Sequence, residues 1–152
     1  MKNFLSLLAI AILLISCRND DETSNNLIGT WQAKSIYKVK VGTQVKEDAT
    51  NEDRCALQDN YTFGENGIAE AKRYKMSSSP YESCDNYYSG SVRYSFDDKT
   101  LTLTTYEDGK ERYKKITSLT NSELIFMTSR ESYSSGTENY TYEYYTIFTK
   151  IK

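Results

Sequence analysis

The most regular feature of the chain is an alternation of apolar or small residues with polar ones. It is clearest in two segments, from Trp31 to Val41 and from Tyr88 to Phe96. Because successive side chains of a β-strand point to opposite faces, this alternation predicts strands with one face in a core and the other in water. In the first segment it places Tyr37 on the core face and Ile36 on the polar face. No long stretch beyond residue 26 has convincing helical spacing.

Turn-forming residues divide the chain into a series of strands. Gly64-Glu65-Asn66-Gly67 and Glu107-Asp108-Gly109 are predicted turns, because Gly and Asn tolerate the positive φ that a tight reversal needs. The segments 47–54, 77–87 and 130–137 are predicted as loops. The predicted strands are 27–41, 56–63, 68–76, 88–96, 100–106, 110–118, 123–128 and 138–151.

Strands that follow one another through mostly short turns indicate an all-β meander. We predict an eight-stranded antiparallel up-and-down barrel, because closing the sheet removes both of its exposed edges. A two-sheet sandwich is the alternative that the pattern leaves open.

The N-terminus follows a different pattern, with a positive Lys2 and an almost wholly apolar run from Phe4 to Ile15. This is typical of a signal peptide rather than a membrane span, since the run is short and polar residues follow at once. The cysteine of Leu14-Ile15-Ser16-Cys17 resembles the lipobox of bacterial lipoproteins. That resemblance implies cleavage before Cys17, a diacylglycerol on its thiol and acylation of the new amine, for example with palmitate. An ordinary secretory signal with an incidental cysteine is the alternative.

The lipobox divides the chain into a signal peptide (1–16), a lipidated Cys17 with a flexible acidic tether (17–26) and a barrel domain (27–152). The tether also resembles the export signal of surface lipoproteins of Bacteroidetes-type bacteria, although Asn19 stands where these usually carry Lys. That resemblance implies exposure at the cell surface, and a merely solvated spacer is the alternative. On either interpretation we expect an outer-membrane lipoprotein, since two or more acyl chains anchor stably.

Charge narrows the range of partners. The chain has 19 basic and 21 acidic residues, and no cluster of basic residues. It therefore has no electrostatic reason to bind nucleic acid, and its membrane attachment should be the lipid rather than a polybasic patch. We expect the domain to be a monomer.

Two cysteines remain besides Cys17, namely Cys55 and Cys84. In the oxidising compartment that an exported protein meets, their default state is a disulfide with each other. A metal pair is the alternative, but the chain has no histidine and no Cys-x-x-Cys motif. We predict neither a metal nor a cofactor.

The absence of histidine also removes the commonest general base. The adjacent carboxylates Glu52-Asp53, Asp97-Asp98 and Glu107-Asp108 lie in predicted turns, where neighbouring side chains point apart into solvent. The chain has no Gly-rich phosphate loop. We predict that the protein is not an enzyme.

Several motifs together resemble those of lipocalin-like bacterial lipoproteins. Leu27-Ile28-Gly29-Thr30-Trp31 is similar to the Gly-x-Trp start of the first lipocalin strand, and the segment 116–124 is similar to the hairpin between the sixth and seventh strands. Cys55 before Phe63-Gly64-Glu65-Asn66-Gly67, and Cys84 before the central strands, also match. The resemblance covers residues 27–152 and implies a lipocalin-like barrel.

One position departs from the lipocalin pattern. Lipocalins often place an Arg near the end of the last strand, across the face of the Trp, whereas this chain has Lys150 and Lys152. A Lys can still make a cation–π contact there, without the planar stacking of an Arg.

Tyrosine is abundant, with 14 residues against 5 Phe and 1 Trp. Tyr favours strands, so this excess can be structural; inward Tyr rings can also line a cavity for an amphipathic ligand. We therefore expect a membrane-anchored lipoprotein that binds a small hydrophobic or amphipathic molecule. An envelope protein that binds a protein or glycan through the loops 77–87 and 130–137 is the alternative. The candidate lining residues are Trp31, Tyr37, Tyr88, Tyr94, Phe96, Phe126, Tyr142 and Tyr144.

Overall fold

The computed structural model describes residues 26–77, 83–107 and 109–152, and these ranges contain a series of antiparallel strands. The signal peptide, Cys17, the tether up to residue 25, residues 78–82 of the predicted loop 77–87 and Asp108 of a predicted turn lie outside the described residues. The strands are β1 (Gly29–Lys40), β2 (Lys46–Asp48), β3 (Asn60–Phe63), β4 (Ile68–Met76), β5 (Cys84–Asp97), β6 (Thr102–Glu107), β7 (Lys110–Leu119), β8 (Glu123–Ser135) and β9 (Glu138–Lys150). A short 3₁₀ helix spans Arg54–Gln58.

The sheet closes on itself through β1, which pairs with β3 on one side and with β9 on the other. Each remaining strand pairs with the next along the chain, so β1 and β3–β9 form an eight-stranded up-and-down barrel. The predicted barrel is confirmed, and the alternative sandwich is excluded. The short β2 adds a ninth strand beside the end of β1.

Large apolar side chains fill one end of the barrel. Because side chains alternate along each strand, every strand contributes its inward residues to this core. Trp31 is fully buried, and the rings of Phe126 and Phe148 stack with their centroids 4.9 Å apart. The buried core residues are Leu27, Trp31, Ala33, Phe63, Ala69, Leu103, Ile116, Leu124, Phe126 and Phe148.

A register shift in β1 exchanges the two faces of this strand beyond Ala33. The pairing with β9 slips by one residue between Ala33 and Ser35, and a one-residue bulge moves every later side chain to the other face. Ile36 is consequently buried, and Tyr37 faces outward, where it stacks on Tyr145. The predicted faces of Ile36 and Tyr37 were therefore wrong.

The disulfide between Cys55 and Cys84 is present, with a Cα–Cα distance of 5.3 Å. It joins the 3₁₀ helix Arg54–Gln58 to the first residue of β5. Cys55 is completely buried. The bond therefore holds the long connection between β1 and β3 against the barrel wall.

Four predicted segment assignments differ from the structure. Residues 47 and 48 of the predicted loop 47–54 belong to β2, and residues 84–87 of the predicted loop 77–87 belong to β5. The residues from 54 to 58 form a 3₁₀ helix, which shortens the predicted second strand to Asn60–Phe63. The predicted loop 130–137 is mostly strand, because β8 continues to Ser135 and stays paired with β9 up to Glu138. In the part of the chain that the structure describes, no helix has the length and apolar character needed to cross a membrane.

Candidate functional site

The two ends of the barrel differ in how they are filled. At the packed end, the Trp31 Nε1 donates a hydrogen bond to the Leu27 carbonyl oxygen at 2.8 Å. The Lys150 Nζ lies 5.0 Å from the centroid of the Trp31 ring and donates to the Asn26 carbonyl oxygen at 2.9 Å. The expected cation–π contact is confirmed, and it covers the core at this end. The larger inward cavities lie beyond the core, toward the opposite end.

One of these cavities, which we call the basic chamber, has a volume of about 350 Å³. Its walls are apolar at the core and carry three cationic side chains. No carboxylate is among the described residues that line it. They are Tyr61, Phe63, Ala69, Ala71, Arg73, Tyr87, Tyr88, Val92, Leu103, Thr105, Arg112, Lys114 and Phe126.

Strand alternation places the cations of this chamber in line with core residues. On β4, Arg73 follows the buried Ala69 and Ala71 at two-residue intervals, so all three point into the barrel. On β7, Lys114 and Arg112 precede the buried Ile116 in the same way. Ala71 also lies opposite Gly90 of β5. The Tyr88 ring occupies the space over Gly90, since a Cβ there would lie 3.1 Å from the Tyr88 hydroxyl oxygen.

Arg73 has one side-chain nitrogen whose hydrogen bonding is incomplete among the described residues. Its Nε lies 3.6 Å from the Asp59 Oδ2, which is an ion pair but too long for a hydrogen bond. The Nε atom is buried and has no hydrogen-bond partner among the described residues. The guanidinium carbon also lies 5.5 Å from the centroid of the Tyr87 ring. A buried donor of this kind can bind an acceptor that enters the chamber.

A second cavity, the acidic chamber, adjoins the first and shares Arg73 and Tyr87 with it. Its volume is about 360 Å³. Four carboxylates line it, against one cation. The lining residues are Ile36, Ala49, Glu52, Asp53, Ala56, Asp59, Arg73, Tyr74, Tyr87, Thr128, Ser129, Glu131, Tyr133, Tyr144 and Thr146.

Asp59 is the most buried carboxylate of the acidic chamber, with 7% of its surface exposed. Burial raises the pKa of Asp59 to about 6. The Tyr74 backbone N–H, which donates to its Oδ1 at 2.7 Å, and the nearby Arg73 guanidinium act in the opposite direction on this pKa. Asp59 therefore changes its charge near neutral pH.

Above the acidic chamber, the extended β8–β9 hairpin carries a groove of about 350 Å³ that we call the tyrosine groove. Tyr133 stacks on Tyr140 at 5.7 Å, and Tyr142 packs edge-on against both rings. Lys38 and Lys40 of β1 lie over Tyr142 and Tyr140 at 4.9 and 5.2 Å. The lining residues are Lys38, Lys40, Glu52, Tyr133, Glu138, Tyr140, Tyr142 and Tyr144.

Hydrogen bonds between hydroxyls and carboxylates connect the tyrosine groove with the acidic chamber. The Tyr133 hydroxyl bonds to Glu131 and lies 3.0 Å from the Tyr144 hydroxyl, which donates to the Glu52 Oε2 at 3.3 Å. The bond to Glu131 raises the pKa of Tyr133, and burial raises that of Tyr144. Both tyrosines therefore stay protonated at neutral pH and act as donors.

The described residues contain no group of three or more His, Cys, Asp or Glu side chains placed to hold a metal ion. The acidic chamber is rich in carboxylates, but hydrogen bonds and ion pairs already occupy Glu52, Asp59 and Glu131.

Comparison with known proteins decides the family. A model of the lipocalin-like domain matches residues 27–126, which is about two thirds of the chain. The chain belongs to the lipocalin-like domain family. No curated protein matches this lipocalin-like chain. Among the solved structures that match is a lipocalin-like protein from Bacteroides uniformis, with 13% sequence identity and a TM-score of 0.45. The match covers 83% of this chain and 99% of the Bacteroides chain.

The lipocalin-like barrel brings only some of the predicted lining residues together. Tyr88 and Phe126 line the basic chamber, and Tyr142 and Tyr144 line the tyrosine groove. Tyr144 also lines the acidic chamber. Three of these residues therefore border an inward chamber, and Tyr142 borders only the tyrosine groove.

The other four predicted lining residues lie elsewhere. Trp31 is part of the packed core, and Tyr37 faces outward under the Nζ of Lys46. Tyr94 and Phe96 border a depression at the packed end, where the Tyr94 hydroxyl donates to the Gly64 carbonyl oxygen at 2.8 Å.

The sequence patterns did not identify the charged residues that line the two chambers, namely Asp59, Arg73, Lys114 and the exposed Arg112. The prediction assigned charged positions to the solvent face, as in most half-buried strands. A signal was nevertheless present, because Arg112 and Lys114 have the same parity along β7 as the apolar Ile116. Charged residues on the same strand face as core residues indicate that water reaches the barrel interior beyond the core.

Proposed function

We propose that this lipocalin-like protein is a membrane-anchored lipoprotein whose basic chamber binds a small hydrophobic or amphipathic ligand. The observation that carries this proposal is a chamber of about 350 Å³ with an apolar floor and polar walls inside the barrel. Small-molecule sites commonly have volumes of roughly 300–1,000 Å³ and combine apolar walls with a few polar groups.

The chamber floor supports binding of an apolar group. Phe63 and Leu103 are buried, and Phe126 is held from below by the stacked Phe148 ring. These side chains form the rigid core of the barrel, so the floor is already formed before a ligand arrives. Each CH₂ group that leaves water for such a surface contributes about 0.8 kcal/mol.

A variant that fills the chamber tests the proposal. Ala71→Leu adds a larger side chain to the wall opposite Gly90 without removing any polar group. We expect decanol to bind the unmodified protein in a saturable one-to-one manner by titration calorimetry, and to bind Ala71→Leu about tenfold more weakly or worse. Ser91→Leu, on the exposed face of β5, is the matched control and should bind like the unmodified protein. Decanol binding that is unaffected by Ala71→Leu would place the ligand elsewhere and overturn the proposal.

The proposal includes binding without chemical conversion. The chain has no histidine. Of the acidic-chamber carboxylates, Glu52, Asp59 and Glu131 are held by Lys38, Arg73 and a tyrosine hydroxyl, and Asp53 accepts from the Ala56 N–H. Ligand recovered from the protein after prolonged incubation should have an unchanged mass, and a modified product would contradict this part of the proposal.

The membrane anchor is supported by the lipobox motif that ends at Cys17. Cys17→Ala removes the thiol that would carry the diacylglycerol. In a bacterium that processes lipoproteins, we expect the unmodified protein to fractionate with the outer membrane. We expect the variant to appear in the soluble fraction. Protease added to intact cells then tests surface exposure. A mass spectrum of the membrane-bound unmodified protein that shows Cys17 without acyl chains would exclude lipid anchoring at this residue.

A second candidate function is glycan binding in the tyrosine groove. Its motivation is the cluster of Tyr133, Tyr140 and Tyr142 rings beside Lys38, Lys40 and Glu138, because aromatic faces pack on the apolar side of a sugar ring while charged groups bond its hydroxyls. Replacing Tyr140 and Tyr142 by Ala should abolish binding of soluble oligosaccharides, whereas the outward Tyr37→Ala should leave it unchanged. Equal effects of the two variants would exclude the groove.

A further inference from the structure

The two chambers inside the barrel carry opposite charges although they share a wall. The basic chamber contains Arg73, Arg112 and Lys114 and no carboxylate among its described lining residues. The acidic chamber contains Glu52, Asp53, Asp59 and Glu131, with Arg73 as its one cation among the described lining residues. An anion that enters the barrel is therefore attracted to the basic chamber and repelled from its neighbour.

Within the basic chamber the cations approach the apolar floor from two sides. Arg73 belongs to β4, whereas Arg112 and Lys114 belong to β7, on the other side of β5 and β6. The Lys114 Nζ lies 5.5 Å from the centroid of the Phe126 ring, which forms part of the floor. A ligand whose chain covers Phe126 would therefore place its end near a cation.

The hydrogen-bonding state of Arg73 gives a second, independent observation. Its buried Nε has no hydrogen-bond partner among the described residues, and the nearest carboxylate oxygen with which it pairs is 3.6 Å away. A buried guanidinium N–H usually has an acceptor, because leaving it without one costs free energy. An oxyanion in the chamber would supply that acceptor.

We propose that the basic chamber binds an amphiphile with a single anionic head group, held by Arg73, Arg112 and Lys114, and with its apolar chain on the Phe126–Leu103 floor. The inference deepens the function proposed above and rests on it. It identifies the ligand by its head group as an oxyanion, a carboxylate or a sulfate or phosphate ester.

Three decyl compounds with the same chain separate head-group charge from chain binding. Titration calorimetry below the micellar concentration should show that decanoate binds about tenfold or more tightly than decanol, because a charge-assisted hydrogen bond is roughly twice as strong as a neutral one. Decyltrimethylammonium should bind more weakly than decanol. Decyl sulfate distinguishes ester oxyanions from carboxylates. Tighter binding of either decanoate or decyl sulfate than of decanol supports the proposal.

Variants then locate the head group. Replacing Arg112 and Lys114 together by Gln should remove the preference for decanoate over decanol, so that the two compounds bind with similar affinity. The matched control replaces Arg93 and Lys115, one Arg and one Lys that are adjacent to the inward Val92 and Lys114 and so face outward. This control should keep the preference for decanoate. Far-ultraviolet circular dichroism shows whether each variant keeps its sheet.

Salt dependence provides a measurement that needs no variant. Raising the sodium chloride concentration should weaken decanoate binding and leave decanol binding nearly constant, since salt screens only the charged contact. Equal affinities for decanoate and decanol would overturn the anionic head group while leaving the proposed function intact. The absence of binding by every decyl compound would overturn the proposed function and this inference together.

Discussion

At the scale of single residues, Gly29 of the Gly-x-Trp motif is required by both backbone conformation and space. Its φ is +129°, and a Cβ at this position would lie 2.4 Å from the Lys152 carbonyl oxygen. That oxygen accepts a hydrogen bond from the Thr30 N–H at 2.9 Å, so it cannot withdraw without breaking the closure of the barrel. The glycine thus allows the C-terminal residues to cross the start of β1.

We predict that Gly29→Ala lowers the free energy of unfolding by about 2–4 kcal/mol, because backbone strain and a clash with a main-chain oxygen add together. Gly136→Ala is the control, since Gly136 also has a positive φ of +62° but open space around its Cβ position. It should cost about 1–2 kcal/mol. Urea unfolding followed by circular dichroism measures both values, and an equal loss in the two variants would show that the clash contributes nothing.

Asp59 makes the stability depend on pH in an unusual direction. Because its pKa in the folded protein, about 6, lies above its ordinary value, protonation favours the folded state. The stabilisation is fully present below about pH 4 and is lost as the pH rises through 6. Asp59→Asn keeps an acceptor for the Tyr74 N–H but cannot ionise. Between pH 4 and pH 7 we expect the unfolding free energy of the unmodified protein to fall relative to this variant by about 1–2 kcal/mol. Parallel pH profiles from urea unfolding would contradict the prediction.

At the scale of elements, the disulfide fixes a connection that contains little regular structure. The segment between β1 and β3 holds only the three-residue β2 and the 3₁₀ helix Arg54–Gln58, and Cys55 joins this helix to the start of β5. The cross-link closes a loop with a sequence separation of 29 residues. It therefore restricts the unfolded chain as well as holding the helix at the barrel wall.

We predict that replacing Cys55 and Cys84 together by Ala lowers the free energy of unfolding by about 3–4 kcal/mol, the value that chain entropy gives for a loop of this size. Both the variant and its reference should carry Cys17→Ala, so that neither lipid nor a third thiol affects the result. Urea unfolding provides the measurement. A loss below about 1 kcal/mol would indicate that the helix and its neighbours already restrict the chain without the bond.

Sequence patterns predicted the elements well wherever local preference and tertiary pairing agree. The strand Ile68–Met76 was predicted with its correct bounds, because turn-forming residues flank it on both sides. The bulge after Ala33 could not be predicted, since it comes from the pairing of β1 with a partner more than 100 residues away. The polar segment Arg130–Ser135 was predicted as loop because serine favours turns, yet pairing with β9 makes it a strand.

The candidate site was less predictable than the fold for the same reason. Tyr88 and Phe126 were identified from alternation, and both line the basic chamber. Arg73, Arg112 and Lys114 could be assigned to the interior only after the apolar core was known to end below them, at Leu103 and Phe126. The length of the apolar core along the barrel axis depends on how all strands pack together. The sequence of a single strand does not determine it.

At the scale of the whole molecule, closure decides how the protein can associate. Because β1 pairs with both β3 and β9, the sheet closes into a barrel, and the added strand β2 presents a free edge beside β1. That edge consists of Lys46, Glu47 and Asp48, all exposed and all charged. Short, charged edge strands resist pairing with another chain.

We therefore predict that the protein without its lipid is a monomer, and that the charged edge strand contributes to this state. The sedimentation coefficient of the Cys17→Ala protein should stay constant as its concentration is raised, and the fitted mass should be that of one chain.

A variant with Lys46, Glu47 and Asp48 replaced by Val, Thr and Val presents an uncharged edge of high β-propensity. It should show a sedimentation coefficient that rises with concentration. Val at Thr102, Thr104 and Tyr106, on the outward face of β6, is the control, because these residues are paired with both β5 and β7 and no backbone edge is free there. Association of the unmodified protein, or of both variants alike, would show that exposed side chains rather than sheet edges govern contacts between molecules.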